Sequence, residues 1–389
     1  MKPVEKMFSE KGSWFKGNLH SHTVNSDGRL TPAQSAAYYR EHGYSFICFS
    51  EHDYYTDLRK ILDRDDFIIL PGLEASTYLI TSDDFSGLFE PEVLQRGYCD
   101  MTFQELMAFR NKNVNFTLKK AHHIHGILGT KEMRAAAGEN VFTVNQLYPI
   151  RIYLNQWDGV NAAQTLSDSL KQKGCFTTYN HPIWSRVDIE DVRDLQGVWA
   201  IECYNYDTVN ECAEGEDTVF WDTMLRHGTD ISCFASDDNH NGGTFQDSFG
   251  GFVMVKSERL DHESIVTNLL KGNYYSSNGA VITQWGIRNG EVYVDCENAE
   301  RVNFICGGSI GSSKTVMMEN QIPLQHVSIP LSGREQYVRI EVKNTLGQTA
   351  WTNPIIFESL RVKKGRFFRI ILLYTLCTCR FRINPERKA

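Results

Sequence analysis

Between Trp14 and about Asn278 the sequence alternates short, apolar, β-rich runs with helical segments, and nearly every run ends on a polar cluster. The runs are FKGNLHSH, YSFICFS, FIILPG, CFTTYN, WAIECYN and ISCFAS. Strands that alternate with helices predict β-α units, hence a parallel sheet or barrel. Thr31-Pro32 opens the first helix, with Thr as N-cap and Pro at the first helical position, and Gly43 stops it. Further helices end at Gly228 and begin at Asp261.

The pattern changes twice. Residues 76–150 are longer than a usual βα loop and read as an insertion, of the kind that caps a substrate. From Gly279 to Glu358 short strands and turn signals replace helical periodicity, including an Asn289-Gly290 hairpin turn, so a small antiparallel β-domain is expected over 279–358. Residues 359–389 form a basic tail whose apolar stretch, Ile370 to Leu376, is too short to span a bilayer. Its composition suits weak contact with an anionic membrane surface, or an accessory extension with no part in chemistry.

The 389 residues carry a net charge of −8, and the distribution is uneven. After Leu360 nine basic residues face Glu386 alone, which leaves −16 on residues 1–360. So acidic a body disfavours nucleic acid, because affinity for polyanions is mostly counterion release by Lys and Arg. The N-terminus has no apolar run that could act as a signal segment, so a cytoplasmic address is expected. The ten cysteines include no Cys-x-x-Cys pair and several sit inside apolar runs, which disfavours a thiolate zinc site and predicts reduced core residues.

Chemistry is concentrated where the strand-like runs stop. His20 and His22 are two apart and share one face of an extended chain, so both imidazoles can reach one ion. Asp27-Gly28, Glu51-His52-Asp53, Gly72-Leu73-Glu74, His122-His123-Ile124-His125, Asn180-His181-Pro182 and Asp237-Asp238-Asn239-His240 follow in order. At the mouth of a parallel barrel, residues so far apart in sequence can converge. Any one cluster has an ordinary reading, as a turn, an N-cap or a solvated loop; the shared relation to strand ends is what points to metal. Imidazole and carboxylate without thiolate suit Zn²⁺, Mn²⁺ or Fe²⁺, and the donors exceed what one tetrahedral ion takes, so two to three ions are expected. His42, His227, His262 and His326 are isolated and read as surface or helix-cap residues.

These motifs resemble the PHP (polymerase and histidinol phosphatase) metal-dependent phosphoesterases. NLHSHTVNSDGRLTP is similar to their first motif, FSEHD to the second, LPGLEAS to the third, NHP to a later one and SDDNH to the terminal Asp-x-His. The likeness covers about residues 14–278, and IECYN, WDTMLRHG and YVRIEVKNTLGQTAWTNPI resemble a branch with a C-terminal β-sandwich. The resemblance implies an α/β fold, a distorted (β/α)7 TIM-like barrel followed by the small all-β domain. It implies a first metal on His20, His22, Glu74 and Asp238, with Glu74 bridging to a second that also takes His181 and a histidine of the HHIH segment. His123 is favoured there, with His125 the runner-up on the same face; Asp-x-His spacing favours Asp238 over Asp237. Asp27, His52 and His240 would hold a third ion. Arg186, shortly after His181-Pro182, is a candidate phosphate clamp or a surface arginine. The implied activity is hydrolysis of a small phosphate ester, with a carboxylic or carbamate ester hydrolase and an inert metal-stabilised binding protein as the rivals.

Overall fold

The apolar runs become strands because they are buried on both faces, as a sheet covered on each side requires. All four residues of FICF and all six of AIECYN are buried. A computed structural model describes residues 7–82, 116–148, 152–154 and 156–357. Its first strands are β1 (Ser13–Asn18), β2 (Phe46–Phe49), β3 (Tyr54–Tyr55), β4 (Ile68–Ser82), β5 (Phe116–Leu128), β6 (Gln146–Leu147), β7 (Ile152–Leu154), β8 (Cys175–Tyr179), β9 (Ala200–Asn205) and β10 (Ser232–Ser236). The main curved sheet runs β1-β2-β4-β5-β8-β9-β10. Its neighbours are parallel except at β5, which is antiparallel to both β4 and β8. Leu19, Phe46, Leu70, Ile127, Phe176 and Phe234 pack together from six of these segments.

The expected helix signals hold. Thr31 caps the helix Pro32–Glu41 in a reciprocal box with Gln34, and Asp261 accepts from the Ser264 N–H at the start of His262–Leu270. On the outer face Ala163, Leu166 and Leu170 of the helix Asn161–Gln172 and Trp221 of the helix Thr218–Arg226 are buried in one apolar cluster.

A closed, all-parallel (β/α)7 barrel is not what the chain forms, for two reasons. First, β4 and β5 pair directly from Gly72 opposite Ile127 to Ser82 opposite Phe116, and an antiparallel pair needs no crossover helix. Part of the expected 76–150 insertion is therefore the sheet itself; residues 83–115 lie outside the described residues. Second, β10 and β1 share no ladder. The only described β-bridge between their extensions is Ser21 with Asn239, where His22 N–H donates to Asn239 O at 3.0 Å and Asp238 N–H to His20 O at 3.0 Å. Side chains take over along that seam: Asn18 Oδ1 accepts from the Asp237 N–H at 3.1 Å, and Asn18 Nδ2 donates to Asn239 Oδ1 at 3.1 Å.

Two antiparallel strands, β11 (Phe252–Ser257) on β1 and β12 (Tyr274–Ser277) on β11, lead into the β-rich C-terminal part. That part comprises β13 (Val281–Arg288), β14 (Glu291–Cys306), β15 (Lys314–Met317), β16 (Leu324–Pro330), β17 (Tyr337–Asn344), β18 (Thr349–Thr352) and β19 (Ile355–Ile356). Asn289 and Gly290, both at positive φ, make the expected two-residue turn between β13 and β14. Trp285, Val294, Phe304 and Val342 form a separate core there. The two parts are not independent, because β12 pairs with β18, and Tyr337 and Trp351 are buried in the same cluster as Trp221. The Tyr337 hydroxyl donates to Asp222 at 2.6 Å, and the Arg339 guanidinium lies 4.4 Å over the Trp221 ring. The basic tail lies outside the described residues.

Cutting the chain after Gly279 should expose β12 and the Trp221 cluster. One large buried side chain is worth about 3–5 kcal/mol, and each kcal/mol moves the melting temperature by about 2–4 °C in a domain of this size. The truncated protein is expected to melt well below the full chain and to bind an apolar dye; unchanged melting would contradict this packing.

Candidate metal centre

Six segments bring polar groups to one place. His20 and His22 follow β1, His52 follows β2, His181 follows β8, and Asp238 and His240 follow β10. Glu74 and the HHIH segment differ, since they lie inside the long strands β4 and β5. The β4-β5 register sets Glu74 opposite His125 and Ser76 opposite His123, so the period of two puts His123 and His125 on the Glu74 face. His122 points the other way, where its ring nitrogens contact the Tyr179 hydroxyl at 2.6 Å and Gly159 O at 2.8 Å.

Glu74 is fully buried and sits between two sets of imidazoles. Oε2 faces His20 Nε2 at 3.4 Å, His22 Nε2 at 3.6 Å and His52 Nδ1 at 3.1 Å. Oε1 faces His123 Nδ1 at 3.1 Å, His125 Nε2 at 3.8 Å and His181 Nε2 at 3.4 Å. Asn180 Nδ2 donates to the same Oε1 at 2.8 Å and fixes the carboxylate plane. Asp238 Oδ1 lies 2.9 Å from His20 Nε2 and 3.0 Å from His22 Nε2, while its Oδ2 is 3.7 Å from His181 Nε2. Asp27 joins the outer side, 3.4 Å from His52 and 3.4 Å from His240. Four overlapping groups have ligand atoms within 4.8 Å of one another: His22, Asp27, His52 and His240; His20, Glu74 and His181; His20, His22 and Asp238; His52, Glu74 and His123.

Asp237 and Asp238 separate cleanly. Asp237 turns away, accepting from the N–H groups of Phe249, Gly250 and Gly251 and from the Tyr39 hydroxyl. Burial pushes its carboxyl up to about 6, eased by those donors. It holds the chain after His240, while Asp238 faces the cluster.

Packed so tightly, the groups perturb one another. Burial works against charge on His20, His52 and His181, but neighbouring carboxylates outweigh it and hold all three above the usual imidazole value. Glu74 is held well below the usual carboxylate range by His20, His123 and His181, and Asp238 by His20 and His22, both against their burial. His22 is pushed down to about 3 by burial and by His52 and His240. Burial likewise lowers His123 and His125. Both ring nitrogens of His125 are buried with no hydrogen-bond partner among the described residues. Orphaned imidazole nitrogens beside acidic oxygens are what a divalent cation satisfies, and an imidazole-carboxylate set without thiolate fits such an ion.

The cluster opens onto a cleft of about 390 Å³ lined by Tyr78, Trp184, Phe245, Asp207, Glu211 and Asp247 among others. Arg186 is not among its lining residues; the guanidinium is largely exposed and paired with Glu214 at 2.5 Å. The four isolated histidines stay outside the cluster as expected, His262 on Leu128 O and His326 on Asp295. Two acidic residues escaped the sequence reading. Glu202, inside the buried strand β9, contacts His20 Nδ1 at 3.0 Å. Asp207 follows β9 into the cleft, where burial and the carboxylates of Asp238, Asp247 and Glu211 push it up to about 9. The signal for Glu202 was a lone charge within an otherwise apolar run, IECYN.

No family model matches the chain. No curated protein matches it either. Among solved structures it aligns with a two-domain protein of Bacteroides vulgatus containing an inferred PHP-like metal-dependent phosphoesterase, at 12% identity and a TM-score of 0.40 over 88% of this chain and 94% of that one. It also aligns with a protein of Bifidobacterium adolescentis inferred to be a metal-dependent phosphoesterase, at 13% identity and a TM-score of 0.32 over 60% of this chain and 90% of that one. In its motifs the chain is similar to the PHP metal-dependent phosphoesterases.

Proposed function

We propose that the chain is a metal-dependent hydrolase that cleaves a small phosphate ester. The observation that carries this reading is Glu74, whose two oxygens each face three imidazoles, the arrangement of a carboxylate shared by two cations. Divalent cations bound there would supply Lewis acidity, lowering the pKa of a coordinated water toward neutrality and neutralising phosphate charge. His20, His22, Glu74 and Asp238 would hold one ion. Glu74, His181 and His123 or His125 would hold a second, and Asp27, His52 and His240 a third. Asn180 and the backbone of β4 keep Glu74 oriented, so little rearrangement accompanies binding. Because the cleft is open at the cluster, the arrangement differs from a closed structural site and favours an enzyme over an inert metal-stabilised protein.

The cleft walls narrow the substrate. They are aromatic and acidic, and among the described residues lining the cleft there is no Lys or Arg. A phosphate at the cluster would be served by cations, while a second anionic group farther out would meet Asp207, Glu211 and Asp247. A monoester of an uncharged, flat alcohol fits best. The same shortage of cationic side chains supports a second reading, hydrolysis of a carboxylic or carbamate ester by the same centre.

Three outcomes test this. Reconstitution with Mn²⁺, Fe²⁺ or Zn²⁺ should give two to three ions per chain by elemental analysis. Asp238→Asn should lose metal and turnover while the chain still folds, whereas Asp237→Asn should chiefly lower stability, by about 1–3 kcal/mol, because it leaves buried N–H groups poorly matched. One ion or none on the unaltered chain would remove the multinuclear centre.

Metal binding should be coupled to protons. His20, His52 and His181 are raised above the ordinary imidazole value, so below that raised value each carries a proton that a cation must displace. Affinity for Mn²⁺ is therefore expected to keep rising with pH beyond the ordinary imidazole range, with proton release seen by calorimetry in buffers of different ionisation enthalpy. Binding of Mn²⁺ to the metal-free protein without proton release would show the histidines to be uncharged.

On a panel of chromogenic esters, an aryl monophosphate should be turned over at least about tenfold better in kcat/KM than the same alcohol carrying a second phosphate, the equivalent of about 1.4 kcal/mol. Equal rates would refute the acidic-wall argument, and activity confined to carboxylic esters would establish the second reading.

A further inference from the structure

Glu202 is a fully buried carboxylate with no Lys or Arg among its contacts in the described residues, so its oxygens must be satisfied by hydrogen-bond donors. Every donor it finds leads to the metal cluster. Oε1 meets His20 Nδ1 at 3.0 Å and the Ser236 hydroxyl. Oε2 accepts from the His181 backbone N–H at 3.0 Å and from Asn205 Nδ2 at 3.1 Å. Asn205 Nδ2 in turn lies 3.0 Å from Asp238 Oδ2. One carboxylate on β9 thus touches the segments that follow β1 and β8 and, through Asn205, the one that follows β10.

The contact with His20 has a chemical consequence. A carboxylate can only accept, so His20 keeps a hydrogen on Nδ1 toward Glu202, and once the ring is neutral Nε2, on the side of Glu74 and Asp238, is the nitrogen left free for an ion. A histidine that binds metal through one nitrogen while the other donates to a carboxylate is a better and better-aimed ligand. We propose that Glu202 is a positioning residue of the centre: it sets the tautomer and ring angle of His20 and fixes His181 and Asp238 in register with it. This rests on reading the cluster as a metal centre, and assigns no contact between Glu202 and any ion.

Glu202→Gln is the diagnostic change because no orientation of the amide suits all four neighbours. With its nitrogen toward His20, the amide donates to Nδ1 and drives the hydrogen to Nε2, where the ligand lone pair is needed. With its nitrogen toward His181, it sets a donor against two donors. Ser236→Ala removes one donor to Oε1 and leaves His20 untouched, so it serves as the control for a purely structural role. Glu202→Asp keeps the charge but withdraws it from His20 by one methylene.

Three measurements on the full chain decide the matter: Mn²⁺ affinity by calorimetry, thermal melting with chelator present, and the His20 tautomer by nitrogen NMR of the metal-free protein at a pH high enough to leave the ring neutral. Glu202→Gln and Glu202→Asp are expected to lose about 10- to 100-fold in Mn²⁺ affinity, while Ser236→Ala keeps it. The His20 hydrogen should sit on Nδ1 in the unaltered protein and lose that preference in Glu202→Gln. If Glu202→Gln does not fold, the Glu202→Asp affinity and the unaltered tautomer carry the test. Unaltered affinity in a folded Glu202 variant, or a neutral His20 whose single ring hydrogen sits on Nε2 in the unaltered protein, overturns the proposal. An unaltered chain that binds no Mn²⁺ but shows the Nδ1 hydrogen would instead sink the metal reading and leave the positioning contact standing.

Discussion

Everything near the cleft depends on one buried carboxylate. Glu74 lies fully buried among six imidazoles, and an isolated charge there would be prohibitively costly. The surrounding histidines lower its pKa and it raises several of theirs, so the cluster is stable only as a set. That interdependence explains why the donors come from almost every strand of the curved sheet. Each strand contributes one or two groups, and none could remain buried without the others.

Much of this was legible in the sequence, because the relation between a strand and the polar residue that ends it is local. His20, His22, His52, His181, Asp238 and His240 announce themselves as polar clusters after apolar runs, and the structure brings all six together. Choosing among His122, His123 and His125 required the register of β5 on β4, a non-local property that shifts every side chain when it slips by one residue. Asp237 and Asp238 differ only in which side of a tight turn they occupy, and the Asp-x-His spacing pointed to the inward one. Glu202 was overlooked because a single acid within an apolar strand carries no pattern; its partners lie at positions 20, 181, 205 and 236.

The reversed strand shows where pattern reading fails on topology. Both a parallel and an antiparallel strand buried on two faces read as continuous apolar sequence, so direction is invisible to composition. In this chain the reversal serves the site. A parallel strand would present its histidines beyond its end, whereas β5 lies alongside β4 and delivers two imidazoles to the middle of the same face as Glu74.

The seam between β10 and β1 gives the centre a mechanical meaning. His20 and His22 stand on one side of that seam and Asp238 and His240 on the other, yet the backbone there is joined by one bridge, a bond from the Arg29 N–H to His240 O and a few asparagine contacts. Cations gripping both sides would act as a clasp on an otherwise open edge. Closing it joins residues more than two hundred positions apart, which places the step late in folding, after the local β-α units have formed. The amide hydrogens of Asp238 and His22 would then report on how often the clasp springs open, and protection there would rise as metal fills the cluster.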